Sequence, residues 1–222
     1  MVYRTTKRGE AVRAATQARI LGAAGKLFAR KGYEATTMQE IVSEADTSIG
    51  NAYFYFRNKE TLLRALVEDT SSVIFDAAER RAQHVKNGPE RVGAIIAINT
   101  TTFLTVRRDM LQILTADSRR GVIHAIGDIA VQRWVPVLSA AFPERAEEEL
   151  PLIAAAIWGA NRSIVERMGS GTIDVPTRDA VTFMVRWTLG ALGVRRDRIE
   201  RIVASAWRLA TRHARDEGGE SW

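Results

Sequence analysis

A segment near the start of the chain, Ser48-Ile-Gly-Asn-Ala-Tyr-Phe54, combines hydrogen-bonding, aromatic and small side chains and carries no charge. An asparagine amide can form a bidentate pair with the edge of an adenine, and an isoleucine can contact the methyl group of a thymine. Serine and tyrosine hydroxyls can hydrogen-bond phosphate oxygens. These residue types therefore suit a segment that reads the major groove of duplex DNA, with Asn51 and Ile49 on the bases.

Residues on either side of this segment extend the same chemistry. Thr37 and Tyr33 carry hydroxyls for phosphate oxygens. Lys59 adds a positive charge near the start of a following helix, beside its unpaired N–H groups. The predicted DNA contacts are Thr37, Ser48, Ile49, Asn51, Tyr53, Phe54, Lys59 and Tyr33.

Two helix-start signals position these residues. Thr37-Met-Gln-Glu40 is a capping box, which predicts a short helix that ends near Ala45. Asp46-Thr47 follows as a tight turn, and Ser48 caps a second short helix over 48–54. Two short helices separated by such a turn are typical of a helix-turn-helix unit, in which the second helix enters the major groove.

Small and apolar residues in this unit predict how its helices pack. Ile41 and Ala45 are expected to face inward, and Ala45 permits a close helix crossing. Gly50 and Ala52 keep the second helix slim enough for a groove that is about 12 Å wide. Phe56 is the ring expected in the core, because it follows the second helix where the domain has to close. The alternative interpretation is an ordinary corner of a helical bundle with capped helices.

The rest of the chain predicts an all-α fold, because apolar residues recur at helical spacing and the sequence has no sustained alternation of apolar and polar residues. The first helix is expected to start near Thr16, to bury Ile20, Ala24, Leu27 and Phe28, and to end at Gly32. A fourth helix opens at Asn58 or Thr61 and carries a stripe formed by Leu63, Leu66, Val67, Thr70 and Ile74. Later helices are predicted at 90–108, 109–118, 121–142, 145–168, 177–191 and 195–214.

Positive charge is concentrated at the N-terminal end. The 222-residue chain has a net charge of +6, and residues 1–31 hold eight Lys or Arg against the single acid Glu10. Such a distribution favours contact with a polyanion, either nucleic acid or an anionic membrane surface. The alternatives are a solvated tail, or an all-α module that lies on a membrane or binds a small molecule without binding DNA. The alanine-rich face of the first helix is weak for membrane insertion.

The composition argues against several other classes. The chain has no cysteine, and its three histidines are far apart in sequence, so we expect no metal site and no cofactor. No nucleophile elbow or phosphate-binding loop is present, so an enzyme is the least favoured alternative. Apolar runs are shorter than the ~18 residues of a membrane span, and no contact with a membrane is expected.

The ordered motifs resemble a known family. Ile20-Leu-Gly-Ala-Ala-Gly-Lys-Leu-Phe28, Lys31-Gly-Tyr-Glu-Ala-Thr-Thr37, Ser48-Ile-Gly50, Tyr53-Phe-Tyr-Phe56 and Asn58-Lys-Glu60 are similar to the DNA-binding domain of TetR-family transcriptional regulators. The resemblance covers about residues 16–66. It differs at Asp46-Thr47, where the family often has Gly-Val, and at Ala52 and Phe54; these differences concern individual base contacts and not the docking mode.

The resemblance implies a cytoplasmic homodimeric repressor of nine or ten helices, with a helix-turn-helix domain followed by a ligand-binding and dimerisation domain. Its partners are then a palindromic DNA operator and a small-molecule inducer. The expected division of the chain is a basic arm over 1–15, the DNA-binding domain over 16–62, the ligand-binding and dimerisation domain over 63–216, and a frayed end over 217–222.

The second domain has to be interpreted from its own residues. The predicted cavity residues are Phe103, Met110, His124, Trp134, Trp158, Asn161 and Thr100, with Thr102 as a further polar group. Their aromatic character favours an apolar or aromatic inducer. The competing interpretation is that these side chains are ordinary core.

Helices around 152–165 and 181–192 are rich in small and β-branched residues, and they are predicted to pack across a two-fold axis as a four-helix bundle. An ordinary intramolecular pair is the alternative. An inducer near Ile74 and Phe75 would then swing the fourth helix and change the spacing of the two DNA-reading helices.

Overall fold

The computed structural model describes residues 7–106 and 120–216, and within them the side chains other than those of 7, 8, 10, 106 and 120–125. These residues form helices and connecting turns and contain no strand, so the prediction of an all-α fold is confirmed. The helices are α1 Lys7–Lys31, α2 Met38–Glu44, α3 Ile49–Tyr55, α4 Lys59–Ala82, α5 Pro89–Thr101, α6 Arg120–Ala141, α7 Leu150–Gly169, α8 Thr177–Ala191 and α9 Arg196–Asp216. A π-helical segment, Thr102–Val106, continues α5.

Some helix boundaries differ from the sequence prediction. Helix α1 begins at Lys7 instead of Thr16, because the alanine- and arginine-rich residues 11–15 are strong helix formers. Helix α7 begins at Leu150 instead of Arg145, and Pro151 occupies its first turn, where a missing N–H has no cost. The predicted helix over 109–118 lies outside the described residues.

The chain divides into two compact units, Met1–Asp69 and Thr70–Trp222, so the division falls a few residues later than residue 62. In the first unit, α1 packs against α2, and α2 against α3. The predicted inner faces are confirmed by the burial of Ile20, Ala24, Leu27, Phe28, Ile41, Ala45, Phe56, Leu63, Leu66 and Val67. Gly32 has a φ of 84°, which ends α1 in the left-handed region as predicted.

The second unit is built around α5, which is buried from Val92 to Thr101. Helix α5 packs most extensively against α9 and also against α8, while α6 packs against α7. The α5–α9 contact is close at Gly93, where an added Cβ would lie 2.5 Å from Cγ2 of Ile202. Glu90 and Arg198 join the same two helices through two hydrogen bonds of 2.8 Å, which hold the pKa of the Glu90 carboxyl below its usual value.

Candidate functional site

The entry to α2 has the predicted capping box. The backbone N–H of Glu40 donates to Oγ1 of Thr37 at 3.3 Å, and the N–H of Thr37 donates to the Glu40 carboxylate at 2.8 Å. Lys31 also donates to this carboxylate. The hydrogen bond from Lys31, followed by those from Thr37, lowers the pKa of Glu40 to about 2. The start of α2 is therefore fixed by charge-assisted contacts.

The turn between α2 and α3 is fixed by local geometry. Asp46 has a φ of 47°, in the left-handed region that Asp tolerates better than most side chains. Oγ of Ser48 accepts the backbone N–H of Asn51 at 3.1 Å, which confirms Ser48 as the N-cap of α3. Ala52 is fully buried on the inner side of α3. These constraints determine which side of α3 faces outward.

The outer face of α3 is uncharged and partly aromatic. Phe54 is 70% exposed and Tyr53 is 47% exposed, and Ile49 is also exposed. Gly50 is exposed too, and an added Cβ would meet nothing within 4 Å, so this glycine lies on the outer face of α3. A glycine there lets a partner approach the α3 backbone closely.

Asn51 is half-buried at the edge of this face. Its Nδ2 donates to Oγ1 of Thr47 at 2.8 Å, so one amide hydrogen is already engaged within the turn. A bidentate pair with adenine needs one N–H and the amide oxygen, which leaves the contact chemically possible with the second hydrogen. The hydrogen bond to Thr47 fixes the direction in which the amide points.

Lys59 has a different position from the one expected of a phosphate contact. Its Nζ donates to the backbone oxygens of Tyr33 at 2.8 Å, Thr36 at 2.9 Å and Glu34 at 3.3 Å. It also lies 4.2 Å from the centre of the Tyr33 ring. An ammonium group has three N–H donors, and each has a carbonyl acceptor here. The geometry supports a role in holding the loop before α2 rather than an open charge for phosphate.

The other predicted phosphate contacts are placed in different ways. Thr37 and Ser48 are exposed, but both hydroxyls serve as helix caps. Tyr33 is half-buried, and its ring lies 5.2 Å from that of Phe28.

A basic group missed by the site prediction lies beside α3. The guanidinium carbon of Arg13 lies 6.0 Å from the centre of the Phe54 ring. Arg13 is on the N-terminal part of α1 that was expected to be an arm, and the extension of α1 to Lys7 brings it to this position. The excess of basic residues over 1–31 was visible in the sequence, but the contact depends on tertiary packing. Positive charge therefore flanks the uncharged outer face of α3.

The second unit contains a cavity of about 60 Å³. Four predicted cavity residues line it: Phe103, Trp134, Trp158 and Asn161. Thr100 is buried but does not line the cavity, and its hydroxyl lies 3.1 Å from Oδ1 of the lining residue Asn161. The hydroxyl of Thr102 donates to the backbone oxygen of Ile98. Met110 and the side chain of His124 lie outside the described residues.

Several residues of the cavity wall were not in the predicted set. They are Ser71, Asn99, Ile126, Ile129, Ala130, Arg133 and Ile157. Asn99 opens the polar run Asn99–Thr102 that interrupts the otherwise apolar α5, and this change of character was a usable signal. Ile74 and Phe75, expected near an inducer, also line the cavity.

An apolar surface lies between α7 and α8. Leu152 is 72% exposed, and Phe183 and Trp187 are also exposed at helical spacing on α8. Leu152 and Trp187 border a groove of about 300 Å³ that is lined mainly by apolar side chains. Large apolar side chains exposed together on helices usually mark an interaction surface.

Two negative findings apply to the described part of the chain. No helix there is both long and apolar enough to cross a membrane. No cluster of three or more His, Asp or Glu residues there is arranged to hold a metal ion.

Comparison with known proteins places the first unit in context. A family model described as "Bacterial regulatory proteins, tetR family" matches residues 20–66. The chain is similar to the uncharacterized HTH-type transcriptional regulator YfiR of Bacillus subtilis (strain 168), with 38% identity over 68 residues that make up 31% of this chain and 33% of that protein. It is also similar to the HTH-type transcriptional regulator QacR of Staphylococcus aureus (strain Mu50 / ATCC 700699), with 50% identity over 44 residues, 20% of this chain and 23% of that protein. The matched segments span a third or less of these curated relatives.

Solved structures extend the likeness beyond the matched segment. The transcriptional regulator FadR from Bacillus subtilis, in complex with stearoyl-CoA, aligns with a TM-score of 0.61 and 17% identity, over 77% of this chain and 96% of that chain. At this identity the likeness shows a shared fold. The helix-turn-helix geometry and the family match agree over residues 20–66, and this segment is similar to the DNA-binding domain of the TetR family of bacterial regulatory proteins.

Proposed function

We propose that this protein is a ligand-responsive transcriptional regulator that binds a palindromic operator as a homodimer and leaves it when a small molecule binds the second unit. The observation that carries the proposal is the outer face of α3. A capped, uncharged helix exposes Tyr53 and Phe54 and lies beside Arg13. A face of this kind, flanked by positive charge, suits insertion into the major groove.

On this proposal, α3 reads bases and its neighbours contact the backbone. Asn51 pairs with an adenine edge through its amide oxygen and its second N–H, and Ile49 contacts a thymine methyl group. Phe54 and Tyr53 complete the groove contact. The hydroxyls of Ser48 and Thr37 serve their caps, so their phosphate contacts use remaining hydrogen-bonding capacity or the adjacent backbone N–H groups. Lys59 and Tyr33 act by holding the loop before α2 in place.

Helix α4 contributes residues to the proposed DNA-binding unit and to the proposed ligand cavity. Its residues up to Asp69 belong to the first unit, and its later residues Ser71, Ile74 and Phe75 line the cavity. A ligand that displaces these three side chains acts on the same helix that continues into the DNA-binding unit. A population shift between two positions of α4 is then enough to change operator affinity.

The apolar face formed by Leu152, Phe183 and Trp187 is the proposed dimer interface. Helices α7 and α8 of two protomers would form a four-helix bundle and bury these side chains. Two copies of α3 can then engage half-sites whose centres are about 34–36 Å apart or a multiple of that distance. The FadR neighbour was solved with stearoyl-CoA, which supports a ligand-binding second unit in this fold.

Selection from a random duplex library tests the proposal without a known operator. We expect enrichment of an inverted repeat, with a dissociation constant that rises steeply with salt. Tyr53→Glu on the outer face of α3 should abolish this binding. Val73→Glu adds the same charge at an exposed position of the second unit, and this variant should still bind the selected duplex.

A parallel assay with anionic liposomes tests the membrane-surface alternative. Liposome binding without sequence enrichment would contradict the proposal and favour that alternative.

A further inference from the structure

The cavity of the second unit contains an unsatisfied hydrogen-bond acceptor. Asn99 is 7% exposed and lines the cavity, and its Oδ1 has no hydrogen-bond partner among the described residues. A buried amide oxygen without a donor is costly, and buried polar groups in folded proteins are almost always paired. The position of Asn99 in the wall means that a donor can reach it from inside the cavity.

The polar side chain that follows Asn99 in the sequence is already hydrogen-bonded to other partners. Oγ1 of Thr100 lies 2.8 Å from the backbone oxygen of Ile96 and 3.1 Å from Oδ1 of Asn161. The hydrogen of this hydroxyl is therefore used away from Asn99. No described side chain donates to Oδ1 of Asn99, so this oxygen can accept a hydrogen bond from a bound molecule.

The charge of the wall favours a neutral molecule. Arg133 is the charged side chain among the lining residues that the structure describes. Its guanidinium lies 2.6 Å from Asp76 and 4.0 Å from Glu79, so its charge is balanced. An ionised ligand would have to be desolvated without a counter-charge, which is strongly unfavourable.

The shape of the wall favours one aromatic ring. Phe75 and Trp134 meet edge to face, with centroids 5.4 Å apart. Trp158 lies against Gly127, where a Cβ would come within 3.1 Å of the indole, so the glycine makes room for this ring. The volume of about 60 Å³ is smaller than a cavity that holds benzene, about 150 Å³, so a single ring already requires the wall to move.

We infer that the cavity binds a neutral, single-ring aromatic molecule whose hydroxyl group donates a hydrogen bond to Oδ1 of Asn99. This inference rests on the proposed function, because it takes the cavity to be the regulatory site. Ser71, Ile74 and Phe75 of α4 form part of the wall that has to move, which links occupancy of the cavity to that helix.

Calorimetry on the full chain tests the ligand class with matched probes. Phenol has the hydroxyl donor, anisole has the same ring and oxygen without a donor, toluene has no oxygen, and benzoate is an anion. We expect phenol to bind at least about tenfold more tightly than anisole or toluene, because only phenol satisfies the buried acceptor. Benzoate should bind more weakly than phenol. Equal binding of phenol and anisole, tighter binding of benzoate, or no binding of phenol would overturn the inference.

A variant localises the contact. Asn99→Leu keeps a similar volume and removes the acceptor, and the preference for phenol over anisole should fall to within about twofold. Asn87→Leu makes the same change at an exposed position of the second unit and should retain the full preference. Helical circular dichroism confirms that each variant is folded, and the comparison of probes on the unaltered protein remains decisive if Asn99→Leu does not fold. A full preference in a folded Asn99→Leu protein would assign the phenol site elsewhere.

Measurement of operator affinity separates this inference from the proposed function. If phenol binds with the expected preference and releases the operator, the result supports both the inference and the proposed function. If phenol binds through Asn99 but operator affinity is unchanged, the ligand class stands and the regulatory role of the cavity is wrong. If the operator is bound but no phenol preference is found, the inference alone fails.

Discussion

The ammonium group of Lys59 lies 4.2 Å from the centre of the Tyr33 ring and donates a 2.8 Å hydrogen bond to the backbone oxygen of the same residue. This contact joins the first turn of α4 to the loop between α1 and α2. A lysine in this part of a DNA-binding unit suggests a phosphate contact, but these acceptors hold the charge inside the unit. We therefore expect Lys59 to influence DNA binding through the fold.

Lys59→Met tests this positioning role. The variant keeps most of the aliphatic stem and loses the donors, so we expect the free energy of unfolding to fall by about 1–3 kcal/mol. DNA affinity should fall while the slope of its logarithm against the logarithm of salt concentration stays the same. Arg57→Met removes an exposed cation nearby and should leave the melting temperature unchanged. A Lys59→Met protein of normal stability with a salt slope reduced by about one would instead identify a phosphate contact.

Asn51→Ala tests base reading by α3. We expect discrimination at one base pair of each half-site to fall by about 1–3 kcal/mol, because a bidentate contact is lost. Thr47→Val removes the acceptor that orients the amide and should cause a smaller loss at the same base pair. Binding measured on a set of operators with single substitutions distinguishes these effects. A uniform loss of affinity over all operators would show that Asn51 does not read a base.

Glu40→Gln tests the ionic part of the capping box through its pH dependence. The folded-state pKa of Glu40 is lowered from 4.5 to about 2, so its carboxylate stabilises the folded state above pH 4.5, and this contribution is lost as the pH falls toward 2. Gln retains a capping-box side chain without the charge. We expect the unaltered protein to melt at a higher temperature at pH 6 and the difference to shrink toward pH 2. A difference that is constant over this range would exclude the ionised carboxylate as its source.

Trp187→Glu tests the apolar face of α7 and α8. A charge there opposes burial against a second protomer, and we expect the dimer dissociation constant to rise at least about tenfold. Analytical ultracentrifugation measures this change. Val73→Glu serves as a control for adding a charge at an exposed position of the same unit. Dimers of unchanged affinity in Trp187→Glu would assign the interface to another surface.

Gly93→Ala tests the close approach of α5 and α9. The new Cβ would lie 2.5 Å from Cγ2 of Ile202, and overpacking of this kind destabilises proteins by about 1–3 kcal/mol. The added change Ile202→Ala removes the clashing atom, so the double variant should be more stable than the sum of the single effects predicts. Gly22→Ala, with no atom within 4 Å of its new Cβ, should instead stabilise α1 by about 0.5–1 kcal/mol. Chemical denaturation of the unaltered protein, the three single variants and the double variant measures these differences.

Most of the helix-turn-helix geometry could be predicted because its signals are local. The caps at Thr37 and Ser48 involve residues three apart, and both were confirmed with their partners. The left-handed turn at Asp46 depends on that residue's own backbone preference. The start of α1 was missed because its first turns carry no cap signal and no apolar stripe.

The sequence by itself determined the helical class, the caps of α2 and α3, and the inner faces that contain Phe28, Ile41 and Phe56. Each of these depends on residues within a few positions of one another, where helix geometry fixes which side chains meet. Tertiary structure decided that Lys59 holds the loop at Tyr33 and that Arg13 lies beside Phe54. It also decided that Asn99 presents to a cavity an oxygen that has no partner among the described residues. These relations join residues that are distant in sequence, and only the packing of complete helices brings them together or leaves a group without a partner.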